Sequence, residues 1–211
     1  MNFDHNGTLV RKTQPTRSLK KVTKVITIDS RDRDTTKFVK VVGGATTSDP
    51  GDYVVYLPRV YENVVSLRIK NAIISAPQTD GFVSTDLYIL MGIEGLNRID
   101  ETAAGADRSG YVDSALAKFP VYTNTAGAKT TSTLFYNDSS FDEQVTRFTP
   151  PIGRLDRFHI TLRRHVGALG TTTPLNAPIT FGTGENSFTF EIEYLDNVFD
   201  DFSTFETRLN V

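Results

Sequence analysis

Apolar and polar residues alternate with a period of two in short stretches from Val22 to Leu195, separated by turns rich in Gly, Pro, Thr and Asp. Val65, Leu67, Ile69 and Ile73 alternate with Ser66, Arg68, Lys70 and Ala72. Phe158, Ile160 and Leu162 alternate with His159, Thr161 and Arg163; Phe188, Phe190, Ile192 and Tyr194 alternate with Thr189, Glu191 and Glu193. Each pattern sets one face of a strand on a core and the other in polar surroundings. No strong amphipathic helix separates these stretches. The pattern predicts an all-β body, an antiparallel sandwich or barrel rather than a parallel α/β sheet. That class directs function toward binding or building.

Strands are expected near 22–29, 52–57, 64–75, 87–91, 117–123, 131–136, 154–164 and 186–195. Pro58 is expected to end the second, and Leu67 and Ile69 to face the core from the third, a central strand. Leu87-Tyr88-Ile89-Leu90-Met91 is apolar throughout, as in a strand covered on both faces. Gly43-Gly44 and Ser48-Asp49-Pro50-Gly51 are turn signals that bracket a loop. Residues 92–115 are expected to be a long polar insertion, either mobile or functional, and 167–184 a second long loop rich in Thr, Pro and Gly.

At 211 residues the chain can bury a self-sufficient core as one large β domain. A formal charge of −2 argues against coating nucleic acid, which needs a strong basic excess. The chain contains no cysteine, which removes disulfides and thiolate metal sites. Met1–Thr8 is polar, so no secretory signal is expected there, and no apolar run approaches the ~20 residues that cross a bilayer. The expectation is a soluble chain with no transmembrane segment.

The two ends differ in charge. Residues 1–21 form an expected arm with five basic residues, Arg11, Lys12, Arg17, Lys20 and Lys21, against Asp4, a net +4. Either the arm is a solvated terminus or it orders on a partner surface. Residues 196–211 carry Asp196, Asp200, Asp201 and Glu206 against Arg208, a net −3. Phe199, Phe202, Phe205 and Leu209 in this tail are three to four apart, the spacing of one stripe of a short helix. Exposing three phenylalanines is costly, so the tail is expected to dock.

Candidate chemistry is sparse. His159 and His165 lie on and at the end of one strand, with no acidic residue at a metal-ligand spacing, and His5 lies in the arm. The sequence holds no nucleophile elbow, zinc-protease helix, phosphate loop or dinucleotide fingerprint. Asp29, Asp32 and Asp34 lack the spacing and glycine of a calcium loop. Glu191 and Glu193 share a strand face, as a solvated face requires. No enzyme activity, cofactor or metal is expected.

Three groups of segments carry a family resemblance. They are Val25-Ile26-Thr27-Ile28-Asp29-Ser30-Arg31-Asp32-Arg33; Tyr53-Val54-Val55-Tyr56-Leu57-Pro58 with Tyr61-Glu62-Asn63-Val64-Val65-Ser66-Leu67-Arg68-Ile69-Lys70-Asn71-Ala72; and Arg154-Leu155-Asp156-Arg157-Phe158-His159-Ile160-Thr161-Leu162 with the closing Glu185-Asn186-Ser187-Phe188-Thr189-Phe190-Glu191-Ile192. In this order, over about 22–195, the chain resembles the small capsid proteins of nucleocytoplasmic large DNA viruses, most closely the penton (five-fold vertex) proteins of chlorovirus-like particles. The resemblance implies a single jelly roll of eight strands over 22–195. It also implies a viral structural protein, made in the host cytoplasm, that sits in the virion as a homopentamer at icosahedral vertices. Implied partners are neighbouring major and minor capsid proteins and a vertex spike or fibre, but no nucleic acid. Arg11, Lys12, Arg17, Lys20, Lys21, Phe199, Phe202 and Phe205 are the expected subunit or capsid contacts. Two alternatives stay open: a minor capsid protein under the shell, and a lectin-like attachment domain binding carbohydrate through the two long loops.

Overall fold

The computed structural model describes residues 2–3, 9–10, 19–42, 45–77, 87–97, 115–121, 133–138, 145–164 and 178–197. Among them are strands β1 (Asn2–Phe3), β2 (Leu9–Val10), β3 (Leu19–Asp29), β4 (Val39–Val42), β5 (Ala45–Ser48) and β6 (Asp52–Ile74). Strands β7 (Tyr88–Ile93), β8 (Ala117–Pro120), β9 (Leu134–Asn137), β10 (Val145–Arg164) and β11 (Ser187–Asn197) follow. The described residues include no α-helix, only a 3-10 turn at Ser30–Asp32. β1 pairs with β2 and β4 with β5; the other seven strands form one curled antiparallel sheet. Its order is β3-β11-β6-β10-β7-β8, with β9 also beside β6. The all-β, antiparallel expectation holds.

The expected break at Pro58 does not occur, because β6 runs through it as one strand. Proline lacks the N–H that a ladder needs. Here it falls in a register irregularity: Tyr56 pairs with Arg157, and the next pair is Tyr61 with Leu155. The missing donor is therefore not missed. β6 divides the sheet into two limbs. Residues 64–74 of β6 lie with β11 and β3 on one side and with β9 and 145–152 of β10 on the other, while residues 52–62 lie with 154–164 of β10, then β7 and β8.

Two bulges in β6 alter the expected facing of its side chains. Thr189 pairs with Asn71 but Phe190 with Ile69, which leaves Lys70 extra; Glu193 pairs with Ser66 but Tyr194 with Val64, which leaves Val65 extra. An extra residue flips the alternation beyond it. Leu67 and Ile69 face the core as expected, each 1% exposed. Ile73, expected on the same face, is 38% exposed, and Ala72 and Ile74 are buried in its place. Likewise Val64 is fully buried and Val65 only half-buried.

The core fills the space between the limbs. Phe158, Ile160, Leu162, Phe188, Phe190 and Ile192 are fully buried, as their alternation predicts, and Ile89 to Ile93 is buried throughout. Rings meet across the limbs: Phe119 of β8 stacks on Phe188 of β11 at 6.2 Å, and Phe158 of β10 lies 5.1 Å from Phe190. Such pairs contribute beyond the ~1.5–3 kcal/mol that burial of each ring supplies.

A polar junction closes the end of the sheet where β3 stops. Asp49 is buried, and its carboxylate accepts from the backbone N–H of Gly51 (2.8 Å), Phe181 (3.1 Å) and Gly182 (3.1 Å). Asn186, also buried, accepts from Ser75 N–H and donates to the Pro50 carbonyl. Ser30 exchanges hydrogen bonds with Asn186 and donates to Glu185, which pairs with Arg33 at 2.8 Å. The expected loop before β6 contains instead the β4–β5 hairpin. Val42 pairs with Ala45, leaving only Gly43 and Gly44 between them in sequence, a dipeptide suited to two-residue hairpin turns.

Candidate functional site: a cleft where the sheet divides

β11 and β6 pair as far as Tyr194 and Val64. Beyond that point β11 continues beside β3, with Leu195 opposite Lys21, Asp196 opposite Lys20 and Asn197 opposite Leu19. β6 continues beside β10, with Val64 opposite Ile152, Glu62 opposite Arg154 and Tyr61 opposite Leu155. Between Val64 and Glu62, Asn63 has φ of 52°, a left-handed conformation that asparagine tolerates better than most residues. The divergence opens a cleft of about 280 Å³ lined by Leu19, Arg59, Val60, Glu62, Tyr194 and Asp196 among others. Leu19 and Val60 are 55% and 44% exposed.

Arg59 dominates the wall. Its guanidinium lies 4.9 Å from the Tyr61 ring centre and 5.3 Å from that of Tyr194, and it donates to the Tyr194 hydroxyl. The two rings meet edge to face at 5.6 Å. Cation–π contacts of this kind orient the guanidinium while leaving its charge uncompensated. No carboxylate among the described residues forms an ion pair with Arg59.

Lys20 and Lys21, expected in the arm, lie within β3, as does Leu19. Lys21 reaches Glu193 of β11 at 2.6 Å, and Glu193 also accepts from Ser66 of β6 at 2.5 Å. Neighbouring rungs on the same outer face pair Lys70 with Glu191 at 3.9 Å and Arg68 with Asp138. Glu191 and Glu193 are thus each committed to a cation, as a polar sheet face requires. The hydrogen bond from Lys21, then that from Ser66, holds the Glu193 carboxyl below its usual value against the opposing effect of burial. A carboxyl with a depressed pKa stabilises the fold above its unfolded value, ~4.3, and loses that contribution as pH falls through the folded one. Lys21→Met should therefore cost up to ~1 kcal/mol at neutral pH, the range of an exposed pair. The difference should vanish in acid, read from urea midpoints across pH.

Arg11, Lys12, Arg17, Phe199, Phe202, Phe205, His5 and His165 lie outside the described residues. So do most of the two long polar stretches. His159 is described, and its partners come from other strands. Its Nε2 is 2.8 Å from Asp52 Oδ1, its Nδ1 is 3.0 Å from Glu94 Oε2, and Phe38 stacks on the ring at 3.7 Å. The ring is held between the two carboxylates through both of its nitrogens. Phe38 has φ of 50°, and the stack helps to hold that strained residue and the hairpin that follows it on the sheet. No group of His, Asp and Glu among the described residues could hold a metal ion.

No protein-family model matches the chain, and no curated protein does. Function must come from the geometry. His159 is engaged with Asp52 and Glu94, Glu193 with Lys21, Glu191 with Lys70, and Asp49 with backbone N–H groups. The cleft offers an oriented cation, exposed apolar side chains and two diverging strand edges, the makings of a contact for a peptide segment. No helix among the described residues is long and apolar enough to cross a membrane.

Proposed function

We propose that the chain is a structural capsid subunit, a single jelly roll that assembles as a pentamer at icosahedral vertices. The strand order carries this reading. A jelly roll is built of two four-stranded antiparallel sheets. Here β3, β11, 64–74 of β6 and, on its other side, β9 with 145–152 of β10 form one set four positions wide, and 52–62 of β6, 154–164 of β10, β7 and β8 form the other. The long β6 passes from one set to the other, and the facing rings of Phe119 and Phe188 fill the space between. The ion-paired outer face of the first limb presents a rigid wall to a neighbour. A closed ring uses heterologous contacts, one surface meeting a different surface of the next copy. The basic arm and acidic tail are two such surfaces of opposite sign.

Native mass spectrometry of the purified chain, with averaged images of the particles, tests the reading. The expected result is a closed five-fold ring for the full chain. Removal of residues 1–18, which stops short of β3, should leave the fold intact and weaken ring formation or incorporation into the particle. A full chain that stays monomeric at all concentrations and binds sugar would favour the attachment-domain alternative. A folded chain that joins the shell away from the vertices would favour a minor capsid role.

A further inference from the structure

We propose that the cleft between 59–62 of β6 and the end of β11 receives this chain's own C-terminal segment. Phe199, Phe202 or Phe205 would pack on Val60 and Leu19, and a tail carboxylate, Asp200 or Asp201, would sit on Arg59. This holds whether or not the chain builds a capsid.

Three observations converge on that occupant. The first is position. Leu195 and Asp196 line the cleft, and the described chain ends at Asn197 on its rim. Six further residues span up to ~20 Å when extended, enough to turn back across the opening. The second is charge. Arg59 has no carboxylate partner among the described residues, and Lys20 stands beside the rim, whereas Phe199 is followed directly by Asp200 and Asp201. Glu62 and Asp196 keep the wall from being basic overall, which confines the attraction to the Arg59 guanidinium. The third is apolar surface. Leu19 and Val60 are exposed at a site with two tyrosine rings, and the tail carries three phenylalanines in seven residues, 199–205. The chain's own tail is favoured over a second copy's because it begins at the rim, where its effective concentration is high.

The absence of native cysteine makes a disulfide-trapping test clean. Ser203→Cys keeps all three tail phenylalanines and is combined with Val60→Cys in the cleft or, separately, with Thr23→Cys on the outer face of β3. Thr23 is exposed and lies roughly 13 Å along the strand from Leu19, so a free tail reaches it as well. In dilute full-length protein under mild oxidation, the intramolecular disulfide should form at least ~10-fold faster at Val60 than at Thr23. Arg59→Gln, with its fold checked by circular dichroism, should remove most of that preference. Equal rates at the two positions, or disulfide-linked dimers in place of the intramolecular product, would overturn the proposal. A preference unchanged by Arg59→Gln would overturn the role given to Arg59. Equal rates at the two positions would leave ring formation by the full chain untouched, so that failure is distinct from failure of the capsid reading.

Discussion

Asp49→Ala is expected to cost the fold on the order of 3–5 kcal/mol, because three backbone donors, two of them buried, lose their acceptor at once. Gly51, Phe181 and Gly182 all direct N–H groups at this carboxylate, and the residue is 5% exposed, so water cannot readily take its place. Asp49→Asn should recover only part of the loss. One of its two terminal atoms becomes a donor, and it would face either Gly51 and Phe181 or Phe181 and Gly182. The neighbourhood cannot relax around the change. A Cβ placed on Gly51 would lie 1.8 Å from the Ile179 carbonyl oxygen, which shows how closely the 49–51 turn and the 179–182 segment are pressed together. Urea unfolding of the two variants beside the parent checks the expectation. Parity of Asn with Asp would mean that the charge does not matter.

Phe188→Ala is the second large effect, about 3–5 kcal/mol, as for other buried phenylalanines. The ring is fully buried and touches both limbs, stacked on Phe119 and 6.3 Å from Phe190. Its loss leaves a void between limbs that share a continuous β6 and cannot close independently. Phe135→Ala is the internal comparison: that ring is 74% exposed, and its removal should change stability by less than ~0.5 kcal/mol. Small proteins are stable by ~5–15 kcal/mol, so the first substitution consumes a large share and the second almost none. Equal shifts in the urea midpoint would refute the assignment of Phe188 to the centre of the core.

Strands whose ladders are regular were legible in the sequence. Phe158, Ile160 and Leu162, and Phe188, Phe190, Ile192 and Tyr194, face inward as their alternation requires. The errors lie where the ladder is irregular. Lys70 and Val65 are bulged, and a bulge is a choice made by two strands together, with no mark in either sequence alone. Pro58 reads as a strand end unless the pairing partner is known to skip that position. The β4–β5 hairpin did carry a signal, since Gly43-Gly44 has the composition of a two-residue hairpin turn. His159 looked partnerless because Asp52 and Glu94 are 107 and 65 residues away in sequence and meet it only through β6, β7 and β10. The cleft was invisible for the same reason: Arg59 and Tyr194 become neighbours only when β11 lies beside β6.

The place of β11 bears on when the protein can become folded. This last strand lies between β3, near the start of the chain, and β6. Leu19 finds its partner only when Asn197 exists, and Leu67 meets Ile192 only when the chain has reached that far. Pairings so distant in sequence slow folding, since loop closure must precede the contacts that reward it. On the ribosome, β3 and the inner edge of 64–74 therefore stand as two long unpaired edges until β11 has been made, and such edges invite pairing with other chains. The first limb cannot close until residues 187–197 have been made, whereas the β6–β10–β7–β8 pairings do not involve β11. Any oligomer that needs that limb can form only after β11 has joined it.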